Sequence, residues 1–79
     1  MPRFYFHLFN DEDVPDREGT DLPDADAAGA YASKLALFEA GEAVKRSGRI
    51  VLSHRIDIED EEHCAVQTVW FRDLVQIEQ

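Results

Sequence analysis

The chain has 79 residues, enough for one hydrophobic core in a single domain spanning residues 1–79, and too few to enclose a cleft between two lobes. With 44% hydrophobic and 32% charged residues it has the mix of a folded globular protein rather than of a disordered one. A formal net charge of −9 opposes binding through nucleic-acid phosphates, and a single cysteine, Cys64, excludes an internal disulfide and a cysteine-rich zinc site.

Along the chain, Arg3–Phe9 (RFYFHLF) reads as the first strand, dense in aromatics and stopped by the acidic run Asn10-Asp11-Glu12-Asp13. Alternation puts Phe4, Phe6 and Leu8 on a core face and Tyr5, His7 and Phe9 on a semi-polar outer face. Val14–Asp21 reads as an irregular second strand or loop at the edge of the sheet, because Pro15 has no amide hydrogen and Gly19 permits unusual backbone angles. Leu22-Pro23-Asp24 then announces a helix, with Asp24 as its cap.

The helix is expected over about Ala25–Ser47, ending at Gly48, with Lys45 and Arg46 complementing its negative end. Two apolar stripes share it. Ala25, Ala28, Ala32, Ala36, Ala40, Ala43 and Val44 form a small-residue stripe, assigned to the sheet because small side chains let a helix lie close. Tyr31, Leu35 and Phe38 form a bulky stripe well round the cylinder, and the alternative assignment, equally weighted, puts this stripe and not the alanines against the sheet. Two further strands are expected at Ser53–Glu59 and Cys64–Phe71, joined by a turn at Asp60–His63, with Leu74 or Val75 closing an edge of the core. The order is β-β-α-β-β: a two-layer α+β fold, one long helix on a small antiparallel sheet with the first strand central. No stretch approaches the roughly 18 apolar residues of a membrane span and no leader pattern opens the chain, so a cytoplasmic protein without membrane contact is expected.

Three segments, in this order, carry a family resemblance. They are Pro2-Arg3-Phe4-Tyr5-Phe6-His7-Leu8, then Asp16-Arg17-Glu18-Gly19 with Leu22-Pro23-Asp24, Ala27-Ala28 and Ala32, and finally Ile56-Asp57-Ile58-Glu59-Asp60-Glu61 with Val69-Trp70-Phe71. Over nearly its whole length the chain resembles a family of short bacterial proteins, frequent in rhizobia, classed as domain of unknown function 6894. The resemblance implies a bacterial, intracellular, single-domain protein, and it supplies no activity, cofactor or partner.

Chemistry-bearing residues are sparse. The acidic loop of Asp11, Glu12, Asp13, Asp16 and Glu18 departs from a calcium-loop spacing, since Asp16 stands where glycine is needed and Leu22 where a bidentate acid is needed. It reads as a solvated loop. His7, His54 and His63 form no short local pair of the kind that chelates a metal. Cys64 lies among acids that disfavour its thiolate, the serines have no nucleophile-elbow context, and the four glycines are dispersed. No enzyme, cofactor or metal is therefore expected. Lys45, Arg46, Arg49 and Arg55 read as a basic end that compensates the helix terminus, or that docks on an acidic surface such as the chain's own Asn10–Asp26 segment.

What remains is apolar surface. One small sheet face cannot cover both helix stripes, so Tyr31, Leu35 and Phe38, together with Trp70 and the outer-face residues Tyr5, His7 and Phe9, are the candidate contact residues of a non-catalytic interaction module, expected to form a homodimer or to bind another protein. Two other readings stand beside it. One is a small-ligand or metal-binding sensor using the histidines and the acidic loop. The other is a weak nucleic-acid binder, which the net charge opposes.

Overall fold

The computed structural model describes residues 1–76 and Glu78. Strand β1 (Arg3–Phe9), strands β2 (Asp13–Val14) and β3 (Thr20–Asp21), helix α1 (Ala25–Ser47), strands β4 (Arg55–Glu59) and β5 (Ala65–Trp70) and a 3-10 turn at Phe71–Asp73 follow in chain order. The sheet is antiparallel, in the order β2-β1-β4-β5, and β3 also pairs with β1. The fold is thus α+β with β1 inside the sheet, as the sequence predicts.

The expected second strand is split. β2 pairs with Leu8 and Phe9 at one end of β1, and β3 with Arg3 and Phe4 at the other. Between them the side chain of Asp16 replaces a strand, accepting the Phe6 N–H at 3.1 Å while its own N–H donates to His7 Nδ1 at 3.0 Å. The same carboxylate closes its loop by accepting the N–H groups of Glu18 and Gly19. Gly19 lies in the left-handed region (φ 74°), and a Cβ there would come within 2.7 Å of the Arg3 side chain, so both backbone and space require glycine.

Helix α1 has the predicted bounds. Asp24 accepts the Ala27 N–H at 2.8 Å, and Gly48 (φ 73°) donates its N–H to the Val44 carbonyl, ending the helix. The alanine stripe is the buried one: Ala28, Ala32, Ala36 and Ala40 lie against Phe4 and Phe6 of β1, Ile56 and Ile58 of β4, Val69 of β5 and Phe71. The ends of that stripe depart from the expectation. Ala25 is exposed and Val44 is 43% exposed, because a straight helix overhangs the small sheet at both ends. Leu74 packs against the core, as predicted for one residue of the Leu74-Val75 pair.

Two substitutions on α1 separate space from propensity. A Cβ at Gly41 would meet nothing within 4 Å, so Gly41→Ala should stabilise by about 1 kcal/mol and raise the melting temperature by roughly 4–8 °C. Ala32 is fully buried, and Ala32→Leu should destabilise by about 1–3 kcal/mol by forcing the helix off the sheet. Thermal and urea unfolding followed by circular dichroism check both signs.

Candidate functional site

Because β1, β4 and β5 are in register, the sheet face away from α1 is built of three rungs. Phe9, Arg55 and Trp70 form one, His7, Asp57 and Thr68 the next, and Tyr5, Glu59 and Ala65 the third. No second layer covers this face among the described residues.

The first rung is a stack of aromatic rings and cations. The Arg55 guanidinium lies 4.2 Å from the Phe9 ring centre and 5.6 Å from that of Trp70, and the Arg72 guanidinium lies 4.7 Å from the Trp70 ring centre. Asp57 orients the middle of the face: its Oδ1 accepts from Arg55 Nε at 3.2 Å and from the Thr68 hydroxyl at 3.1 Å. Four of these large side chains, Phe9, Arg55, Trp70 and His7, are only partly exposed because they shield one another.

Beside Asp57 in the middle rung, His7 is fixed by two bonds. Its Nδ1 accepts from Asp16 N–H, which leaves the ring proton on Nε2, and this donates to Glu59 Oε1 at 2.9 Å. His63, stacked on Tyr5 with centroids 5.3 Å apart, brings its Nδ1 to 3.5 Å from the same oxygen. His7 and His63 therefore share a carboxylate, while His54 lies apart, its Nε2 3.5 Å from Asp11 Oδ1 and its ring edge on Phe71. Among the described residues no group of three or more His, Cys, Asp or Glu side chains is placed to hold a metal ion.

The remaining predicted residues divide. Leu35 packs on the core, and Tyr31, 39% exposed, rests its ring on Phe6 with centroids 4.7 Å apart. Phe38 stands clear at 62% exposure. The bulky stripe is therefore graded from covered to open, because helix α1 lies over β4 and β5 and only its flank reaches β1. Leu37, 48% exposed, lies seven residues before Val44 and so on the same open side of the helix, at the outer margin of the alanine stripe.

The expected basic end is not one patch. Lys45 lies 3.7 Å from Glu42, Arg46 and Arg49 line a cavity of about 60 Å³ whose walls also include Asp11, Glu39 and His54, and Arg55 is on the open sheet face. Strand pairing carries Arg55 there: in the alternation of β4 it faces away from the buried Ile56 and Ile58.

Three carboxyl groups are held below their ordinary range. For Asp16, partial burial opposes the charge, but N–H donors from Gly19, Phe6 and Glu18 outweigh it. The Arg3 guanidinium does the same for Asp21, and the hydrogen bond from His7, with help from His63, does so for Glu59. Each group binds a proton less readily folded than unfolded. Their stabilisation is complete above the ordinary carboxylate range and is lost as pH falls through the lowered folded values.

Stability should consequently fall on acidification below about pH 4. Asp16→Asn should cost about 2 kcal/mol at neutral pH and flatten that acid limb, as measured by urea unfolding across a pH series.

Comparison with known proteins gives one match. A family model described as a domain of unknown function (DUF6894) covers residues 3–72. No curated protein and no solved structure matches, and no helix among the described residues is long and apolar enough to cross a membrane.

Proposed function

The chain belongs to the DUF6894 family, whose description names no activity, and from that premise we propose that it is a non-catalytic interaction module that associates with a second copy of itself. The observation that carries the reading is the open sheet face with its rung of Phe9, Arg55 and Trp70, extended by Arg72. Tryptophan, tyrosine and arginine are enriched among the residues that dominate the energetics of protein interfaces, the aromatics because they bury a large area at low conformational cost and arginine because it brings several hydrogen-bond donors and stacks on rings. Here their geometry is set before any partner arrives: Asp57 holds Arg55, and Arg55 spaces the two rings. Rigid side chains lose little entropy on contact, which favours binding.

The chain's size supports the same reading. A small domain buries a modest share of its surface, and association is a common way to stabilise it. Phe38, open on the helix flank, adds apolar surface of the same kind.

Sedimentation velocity over a series of micromolar concentrations tests the proposal. Wild-type protein is expected to show a reversible, concentration-dependent dimer. Trp70→Ala is expected to shift the equilibrium toward monomer by about tenfold or more in Kd, with far-UV circular dichroism unchanged. A wild-type chain that sediments as a monomer at every concentration overturns it.

A further inference from the structure

The two edges of the sheet are unlike. On one, β2 and β3 are two residues each, Pro15 interrupts them, and Asp13, Asp16 and Asp21 place carboxylates along the edge. This is how soluble proteins protect an edge from unwanted pairing. On the other, β5 (AVQTVW) runs six residues without a charge or a proline and has no partner beyond β4 among the described residues.

Ladder alternation shows which groups face outward. Phe71 N–H donates to the His54 carbonyl, so the pairs Phe71–His54, Val69–Ile56 and Gln67–Ile58 are the hydrogen-bonded rungs with β4. The N–H and C=O groups of Thr68 and Trp70 therefore point to the open edge. A register shift between Ile58 and Glu59 ends the regular stretch on the other side.

We propose that β5 pairs antiparallel with β5 of a second copy, about a two-fold axis at Thr68, joining two sheets into one. This rests on the self-association reading above and assigns it a contact. The charge pattern selects a second copy as the occupant. Asp60, Glu61 and Glu62 precede β5, whereas Arg55 and Arg72 flank Trp70 at the far end of the strand, where Asp73 is the nearest acid that follows and Glu78 lies further along the chain. An antiparallel pair sets the acidic end of each strand beside the cationic end of the other, while a parallel pair would set like beside like. With Thr68 opposite Thr68, Trp70 of one copy falls opposite Val66 of the other, so Arg72, in the 3-10 turn that follows β5, is brought to the end of the seam that carries the other copy's acidic turn. The Thr68 pair exchanges two backbone hydrogen bonds, and the open faces of the two sheets become continuous with the two Trp70 side chains flanking the seam.

Three variants tested by sedimentation velocity decide it. Thr68→Pro removes an N–H that β4 does not use, so the fold should persist by circular dichroism while dimerisation weakens by at least about tenfold. Thr68→Val removes the hydroxyl that Asp57 accepts but keeps the edge N–H, and should still dimerise. Cys64→Ser combined with Thr68→Cys should form a covalent dimer under mild oxidation, since residues paired in this way have Cα atoms about 5.5 Å apart, within disulfide reach. Should wild type dimerise while folded Thr68→Pro dimerises equally well, the edge pairing falls and self-association stands. If Thr68→Pro does not fold, the outcome of the Thr68→Cys oxidation decides alone, and absence of a covalent dimer overturns the pairing. A wild type that is monomeric throughout overturns both.

Discussion

The packing of a nearly side-chain-free helix face on an aromatic and branched sheet face governs the rest of the molecule. Ala28, Ala32, Ala36 and Ala40 bring the axis of α1 close to the sheet, and the core volume comes almost wholly from Phe4, Phe6, Ile56, Ile58, Val69 and Phe71. A helix seated so closely has no room for large residues beneath it. Tyr31 and Leu35 are consequently turned to the flank, where they cover the side of β1, and Phe38 passes beyond the sheet's reach. Gly29 extends the same economy to β5: a Cβ there would come within 2.8 Å of the Gln67 amide oxygen. One narrow contact thus fixes which faces of the helix are spent on stability and which are left over.

A second constraint is that β1 must satisfy its backbone on both sides without two full strands to do so. Along the β4 side the ladder runs out before Arg3, whose N–H is taken by the Glu61 carboxylate at 2.8 Å. On the other side Asp16 fills the gap between β2 and β3. Side-chain carboxylates thus complete a sheet that the main chain leaves unfinished. Much of the chain's negative charge is structural in this sense: Asp16, Asp21, Asp24, Glu59 and Glu61 each accept a specific hydrogen bond. The acidic composition is partly the chemistry of a small fold that uses carboxylates where a larger one would use strands.

This explains how far residue patterns alone carry. The helix was legible to its end residues because Asp24 and Gly48 are local signals whose physics does not depend on tertiary context. The parity of β1 and β4 was legible because alternation is strict there, and at the end of β5 it separates Val69 and Phe71 from Trp70, whereas the bulge that turns Val66 toward the core carries no mark within the strand. The role of Asp16 was not legible, since a carboxylate ten residues from Phe6 carries no sequence mark of the N–H it will accept. The Phe9–Arg55–Trp70 rung also needed the fold. Its members come from three strands, and Arg55 read from sequence belongs to the basic cluster that follows the helix. Register across strands is a long-range property, and periodicity within each strand is silent about it.

The same two constraints give the sheet its polarity. Carboxylates completing β1 are concentrated on the β2–β3 side and at the turn before β5, while two cations, Arg55 and Arg72, stand with the aromatic rings where β4 begins and β5 ends. A sheet charged in this way is soluble along one edge and neutral along the other, with opposite signs at the two ends of the neutral edge. In the proposed pairing, the antiparallel orientation is the one that keeps carboxylates apart at short range while using the outward amides of β5. On that proposal, the features that hold this small fold together as one molecule are also the ones that would restrict how two of them meet.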